Sequence, residues 1–337
     1  MEKQEAMFWE KEGDRVRCLL CPHRCLIAEG ERGVCKVRVN EKGTLKTIVF
    51  SKIASANIDP IEKKPFFHFF PGSFSFSIAT VGCNFKCVFC QNWSLSQAVR
   101  EEGSIYGEEL YPENIVNYAK NYKCKSISYT YSEPTIYYET AYEVSKLAKE
   151  EGLYNNFVTN GYIEKEPLLN LKGLLDAANV DLKSFSDEFY KKYCGGRLQP
   201  VLDTLKLMKK IGIWVEVTTL LIPSLNDSEE EVRDIARFIK NELGEDTPWH
   251  ISRFHPDYKL TNIPATPEGK IKKAREIGFE EGLMYVYSGN LWGDEGENTF
   301  CPKCKNVLIK RFGFKVLEKN LKENKCGFCG FEISGFF

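Results

Sequence analysis

The run Gly82-Cys83-Asn84-Phe85-Lys86-Cys87-Val88-Phe89-Cys90-Gln91-Asn92 places three cysteines at the spacing C-x3-C-x2-C, directly after the alternating segment Ser73–Ala79. The alternation reads as a strand, so the cysteines sit on the loop that leaves its carboxyl end. Cubane clusters are held by thiolates; three cysteines supply three ligands and leave one iron open to something that is not a side chain. The plainer readings of the same run are a three-cysteine zinc site or buried thiols.

Outward from this loop, short strand-like runs alternate with amphipathic ones. Strands are expected at 73–81, 126–132, 154–159, 178–183, 213–222, 249–254 and 284–287. Helical spacing covers 112–122, 136–150, 200–211, 227–243 and 267–281, with a proline opening the first and Ser228 followed by Glu231 reading as a capping box. Strand and helix in alternation give parallel strands joined by right-handed crossovers. The expected fold class is α/β: an open, partial TIM-like barrel of about six βα units, (βα)6, with its chemistry at the carboxyl ends of the strands.

Cysteine density divides the chain into a Cys-rich segment 1–55, a barrel 56–297 and a small domain 298–337. In the last, Cys301, Cys304, Cys326 and Cys329 form two C-x2-C knuckles, the pattern of a zinc ribbon or a rubredoxin-like iron site; four thiolates leave no open position, so the role is structural. In the first, Cys18, Cys21, Cys25 and Cys35 stand at C-x2-C-x3-C-x9-C, which suits zinc or an auxiliary [4Fe–4S] cluster, and we lean to zinc. Cys124 and Cys194 are isolated and read as structural.

The balance of 46 basic and 47 acidic residues gives a net charge of −1, which offers no general attraction to nucleic acid or anionic membrane. No stretch is apolar enough to span a bilayer, and the charged start lacks the apolar core of a signal peptide. Thirteen cysteines grouped in metal-type spacings point to metal binding rather than disulfides, and to the cytoplasm.

The C-x3-C-x2-C run resembles the signature of the radical S-adenosylmethionine (SAM) superfamily, whose members chelate SAM at the fourth iron of a [4Fe–4S] cluster and cleave it to a 5′-deoxyadenosyl radical. Tyr131-Ser132-Glu133-Pro134 resembles the glycine-glycine-glutamate segment of that superfamily but has no glycine, and Thr159-Asn160-Gly161-Tyr162 and Asp181-Leu182-Lys183 are similar to pieces of pyruvate formate-lyase activating enzymes. That resemblance implies that Glu133 meets the SAM amino group, that Thr159 and Asn160 form part of the cofactor site, and that Lys183 contacts the SAM carboxylate with Asp181 beside it. It further favours His255 against SAM, with Arg253 on the same strand face. Val158 departs from the pattern, standing where those relatives carry an aspartate.

With the CPHRC group at 21–25 and the carboxyl knuckles included, nearly the whole chain is similar to the radical SAM proteins of the AmmeMemoRadiSam system. The resemblance implies an enzyme of oxidoreductase type that needs a reducing donor such as ferredoxin or flavodoxin. Three readings follow. One is a glycyl-radical activase acting on a protein substrate. Another is radical modification of a small molecule, protein or RNA. From a different class comes a non-catalytic metal-binding scaffold.

Overall fold

The computed structural model describes residues 4–337. Its centre is one eight-stranded sheet. Strand β1 (Ser55–Pro60) lies antiparallel to β2 (Phe74–Ala79), and from β2 onward every neighbour is parallel and in chain order. The sequence runs β3 (Ser126–Tyr129), β4 (Tyr154–Thr159), β5 (Ala177–Asp181), β6 (Trp214–Leu221), β7 (Trp249–Arg253) and β8 (Val286–Gly289). The crossovers carry helices α1 (Pro112–Asn121), α2 (Tyr138–Glu150), α3 (Lys165–Asn170), α4 (Leu198–Lys210), α5 (Glu229–Phe238) and α6 (Glu268–Glu280). Six βα units therefore lead to a seventh parallel strand, and β1 covers one edge, an element the sequence reading did not foresee.

Alternation along the strands sorts the side chains. Phe76, Ile78, Ile127, Phe157, Val180, Val215 and Val217 are buried among the apolar residues packed against the sheet. The other parity is polar and largely paired within itself: Ser75 and Ser128 Oγ atoms are 2.6 Å apart, Ser128 donates to Asn156 Oδ1 at 2.7 Å, and Thr218 donates to Asn179 Oδ1 at 2.7 Å. These buried hydroxyls and amides are tolerable because they bond one another.

The segment after β1 fills the base of this polar interior. Glu216 on β6 is fully buried and accepts from the backbone N–H groups of Phe67 and His68, both at 2.9 Å, while Asn179 donates to the Pro65 carbonyl at 2.6 Å. The carboxyl-terminal residues 299–337 pack over the same segment. Their antiparallel strands Thr299–Phe300, Val307–Phe312 and Lys315–Lys319 present Arg311, which donates to the Phe67 carbonyl at 3.0 Å with its guanidinium 4.0 Å from the Phe67 ring. The last residues run beside 68–70, with Phe70 N–H donating to the Phe336 carbonyl at 2.7 Å.

At the other end, Gln4–Glu5, Arg38–Glu41 and Thr44–Thr47 form one three-stranded sheet, and Trp9–Glu12, Arg15–Cys18 and Leu26–Ile27 another. Ser228 does cap α5, accepting from the Glu231 N–H at 3.3 Å, but the box is half made. The Glu231 carboxylate turns instead to Ser184 and to the Phe185 N–H. Among the described residues no helix is long and apolar enough to cross a membrane.

Candidate functional site

A cavity of about 400 Å³ opens at the carboxyl ends of the parallel strands. Cys83, Cys87 and Cys90 line one wall; Glu133, Thr159, Asn160, Asp181 and Lys183 come from the ends of β3, β4 and β5. Eight side chains that the sequence reading assigned to cofactor and cluster thus converge.

The cysteine loop is braced from several sides. Phe85 N–H donates to Cys83 Sγ at 3.3 Å, and Cys90 Sγ lies 3.1 Å from the Ser96 hydroxyl. Asn160 Nδ2 donates to the Asn84 side chain at 2.8 Å, and Asn84 in turn donates to the Tyr162 carbonyl at 2.9 Å. Behind the loop, Lys86 N–H donates to the Cys194 carbonyl at 2.8 Å and Val88 N–H to the Tyr193 carbonyl at 3.1 Å. This close approach explains Gly195-Gly196: a Cβ on Gly196 would stand 2.3 Å from the Phe85 ring. Cys194 therefore packs against the cysteine loop, which its isolation in the sequence did not reveal.

Electrostatics differ among the three thiols. Burial pushes the Cys83 thiol well up, reinforced by the Glu133 charge, and burial also raises Cys90. Cys87 is held below its usual range, first by a hydrogen bond with Cys194 and then, against burial, by the Lys183 ammonium. Lys183 Nζ sits 2.8 Å from Asp181 Oδ2. Burial alone would lower this ammonium, but Asp181 and the Cys87 and Cys194 sulfurs outweigh it and keep it charged.

Glu133 is 3% exposed and is heavily hydrogen-bonded. Its Oε1 accepts from Thr159 Oγ1 at 2.7 Å and from Thr135 Oγ1 at 2.6 Å, and its Oε2 accepts from the Asn160 N–H at 2.8 Å. In this arrangement it orders the strand ends. Burial raises its carboxyl, a shift these donors offset only in part.

Arg253 and His255 are not brought to the cavity. Arg253 donates to the Thr266 carbonyl at 2.7 Å, and His255 is exposed beside Pro256. Ser252 lines the wall in their place, and His250, of the same strand parity, is bonded to Glu216 at 2.6 Å. Lys63, Lys64 and Tyr131 also line the cavity. Both lysines pair with Asp59, at 2.9 and 2.7 Å, and Tyr131 donates to the same carboxylate. Burial lowers the Lys64 ammonium to about 8, with Asp59 opposing. The Lys63-Lys64 pair precedes the first barrel strand, so no strand-end argument could reach it.

The sulfur geometry separates two kinds of site. At the carboxyl end, Cys301 and Cys329 sulfurs are 3.6 Å apart, Cys304 and Cys326 3.7 Å, and all four lie within 4.8 Å of one another. A tetrahedral ion with Zn–S near 2.3 Å requires sulfurs about 3.8 Å apart. These four can hold a single zinc or iron ion. Among the described residues no other such group is drawn so tightly, and the Cys83, Cys87 and Cys90 sulfurs instead stand spread at the wall of a cavity. That spread fits a cluster, in which each thiolate binds its own iron.

Parallel βα units, a three-thiol wall and a polar cavity at the strand ends define a class, and comparison gives it a name: the Radical SAM superfamily pattern matches residues 77–239. The chain belongs to that superfamily and is an enzyme; cleavage of SAM at an iron–sulfur cluster is the general chemistry of its class. It is 51% identical to an uncharacterised protein of Methanocaldococcus jannaschii, over 98% of each chain. A second protein of that organism, named provisionally as a glycyl-radical enzyme activating enzyme, is 31% identical over 60% of this chain and 76% of its own. The pyruvate formate-lyase-activating enzyme of Clostridium pasteurianum is 28% identical over 57% and 84%. The crystal structure of Streptococcus suis SuiB bound to S-adenosylmethionine shares the fold, with a TM-score of 0.51 at 15% identity over 68% of this chain and 53% of that one.

Proposed function

We propose that Cys83, Cys87 and Cys90 hold the [4Fe–4S] cluster at which this enzyme cleaves SAM, and that the cavity beside them receives both SAM and the substrate. The observation that carries this is the convergence of the three thiols with Asn160, Asp181 and Lys183 on one cavity of about 400 Å³. When bound, cluster and SAM together supply a 5′-deoxyadenosyl radical that can abstract hydrogen.

The chain supplies the rest. Lys183, kept charged by Asp181, presents an ammonium to the carboxylate of SAM. Glu133 fixes the strand ends that carry Thr159 and Asn160, and Asn160 reaches back to Asn84 beside Cys83. Lys63, Lys64 and Tyr131 face the remaining space and favour a substrate with an anionic group. Walls of this kind exclude water and hold the reacting atoms in register. The thirteen unpaired cysteines suit a reducing compartment, the cytoplasm, and an electron donor of ferredoxin or flavodoxin type.

The test is 5′-deoxyadenosine formation by the anaerobically reconstituted, reduced protein. We expect product from the wild type and none from Cys87→Ala; equal product from both would refute the assignment. The names of two relatives favour a second reading, activation of a glycyl-radical partner. A stable radical signal appearing on a partner protein after incubation would select it.

A further inference from the structure

The four amino-terminal cysteines lie outside the site just described. Cys18 ends the strand Arg15–Cys18, Cys21 and Cys25 follow on the next turn, and Cys35 comes from the loop before Arg38–Glu41. All four line one small cavity, together with Ile27, Ile136 and Arg38. The thiols surround a space instead of meeting at a point.

The carboxyl-terminal group supplies the yardstick within the same molecule. There four sulfurs gather within 4.8 Å, as one tetrahedral ion demands. Among the described residues no three of the amino-terminal sulfurs come together within that limit, and neither do those of Cys83, Cys87 and Cys90. A single ion cannot reach four thiolates held apart; a cluster can, one iron to each.

The surroundings suit a cluster as well. Val34 N–H donates to Cys25 Sγ at 3.4 Å and Arg38 Nη1 to Cys18 Sγ at 3.8 Å, bonds of the kind that tune cluster potential. Arg38 is 1% exposed and ion-paired with Glu139, so a fixed positive charge stands beside the thiolates.

We propose that Cys18, Cys21, Cys25 and Cys35 hold a second [4Fe–4S] cluster, closed by four thiolates, and that it carries electrons and does not bind SAM. Four protein ligands leave no iron open. The site abuts the first cluster loop directly: the Cys35 carbonyl oxygen lies 3.2 Å from where a Cβ on Gly82 would stand, and His23 Nε2 is 2.8 Å from the Asn84 carbonyl oxygen. Gly82 and Asn84 flank Cys83. On the outer side Val34 is 39% exposed, which gives an external one-electron donor a point of approach. One electron enters from that donor and one leaves toward Cys83, so nothing else is consumed. This electron path rests on the proposed function for its acceptor; the metal assignment does not.

Iron, acid-labile sulfide and zinc are counted in the anaerobically reconstituted wild type and in a Cys83→Ala/Cys87→Ala/Cys90→Ala variant. The wild type is expected to hold about eight iron per chain and the variant about four, with a reduced-cluster electron paramagnetic resonance signal in the variant that SAM leaves unaltered. About four iron in the wild type with two zinc per chain would overturn the proposal, whether or not the variant folds. A variant signal that SAM perturbs would overturn the electron-transfer role. Because the counts do not require SAM cleavage, a wild type that makes no 5′-deoxyadenosine refutes the proposed function and leaves this assignment to the iron count.

Discussion

Glu133 and Thr159, 26 residues apart in the chain, meet at 2.7 Å, and the same carboxylate accepts the Asn160 N–H at 2.8 Å. The carboxylate thereby joins the end of β3 to the end of β4 under the cavity. Glu133→Ala leaves the buried Thr135 and Thr159 hydroxyls and two backbone N–H groups without an acceptor, and we expect a loss of about 2–4 kcal/mol of stability. Chemical denaturation measures it. Glu133→Gln, which keeps one acceptor oxygen, should fall between; an alanine variant as stable as the wild type would contradict the bracing role.

Lys183→Met removes the ammonium beside Asp181 without adding a polar group. SAM affinity should weaken at least tenfold, a loss of about 1.4 kcal/mol, while the iron content stays at the wild-type level. Anaerobic calorimetric titration with SAM, alongside iron analysis, separates the two effects. Unchanged affinity would remove Lys183 from the cofactor site.

Stability should fall on acidification. Burial depresses His68 to about 4, only partly opposed by Glu216, so between about 6.5 and about 4 the unfolded chain binds a proton that the folded chain refuses. Stability therefore rises with pH across that window, by up to about 1.4 kcal/mol per pH unit from this group. Glu216 acts in the same direction lower down: burial would raise it, but His250, His68 and the Phe67 N–H hold it below its ordinary value, and that contribution is lost as pH falls through its folded value. Melting temperatures recorded from pH 7 to pH 4.5 test this; a flat profile would contradict it.

Removal of the carboxyl-terminal metal should loosen the base of the barrel. Ser334 and Phe336, carried on the arm beyond Cys329, hold His68 and Phe70 by hydrogen bonds at 2.7 Å. Cys304→Ser is expected to release one metal ion per chain and lower the melting temperature by several degrees. Metal analysis and calorimetry check both parts, and an unchanged melting temperature would confine the metal to a local role.

Much of this was legible in the sequence because it follows local rules. The strand-then-cysteine run at 74–90 and the turns at Glu133, Asn160 and Lys183 each sit at the end of an apolar strand, and the barrel brings such ends together. What failed depends on partners far away. The resemblance favours His255 and strand parity sets Arg253 beside it, yet parity alone does not say which face looks inward; Glu216, which draws His250 into the interior, decides it in favour of Ser252. The Glu231 carboxylate leaves its capping box for Ser184 and Phe185, residues 47 and 46 positions away. Lys63 and Lys64 reach the cavity only because the segment after β1 threads the barrel base, and an aromatic run such as Phe66–Phe70 carries no periodic signal for that path.

The central claim is that SAM binds at the iron held by Cys83, Cys87 and Cys90. Its most direct measurement is the electron paramagnetic resonance spectrum of the reduced wild-type protein with and without SAM. The account predicts that SAM shifts the signal of the cluster at these three cysteines, and that the shift vanishes when all three are replaced by alanine. A wild-type spectrum identical in the presence and absence of saturating SAM would contradict it.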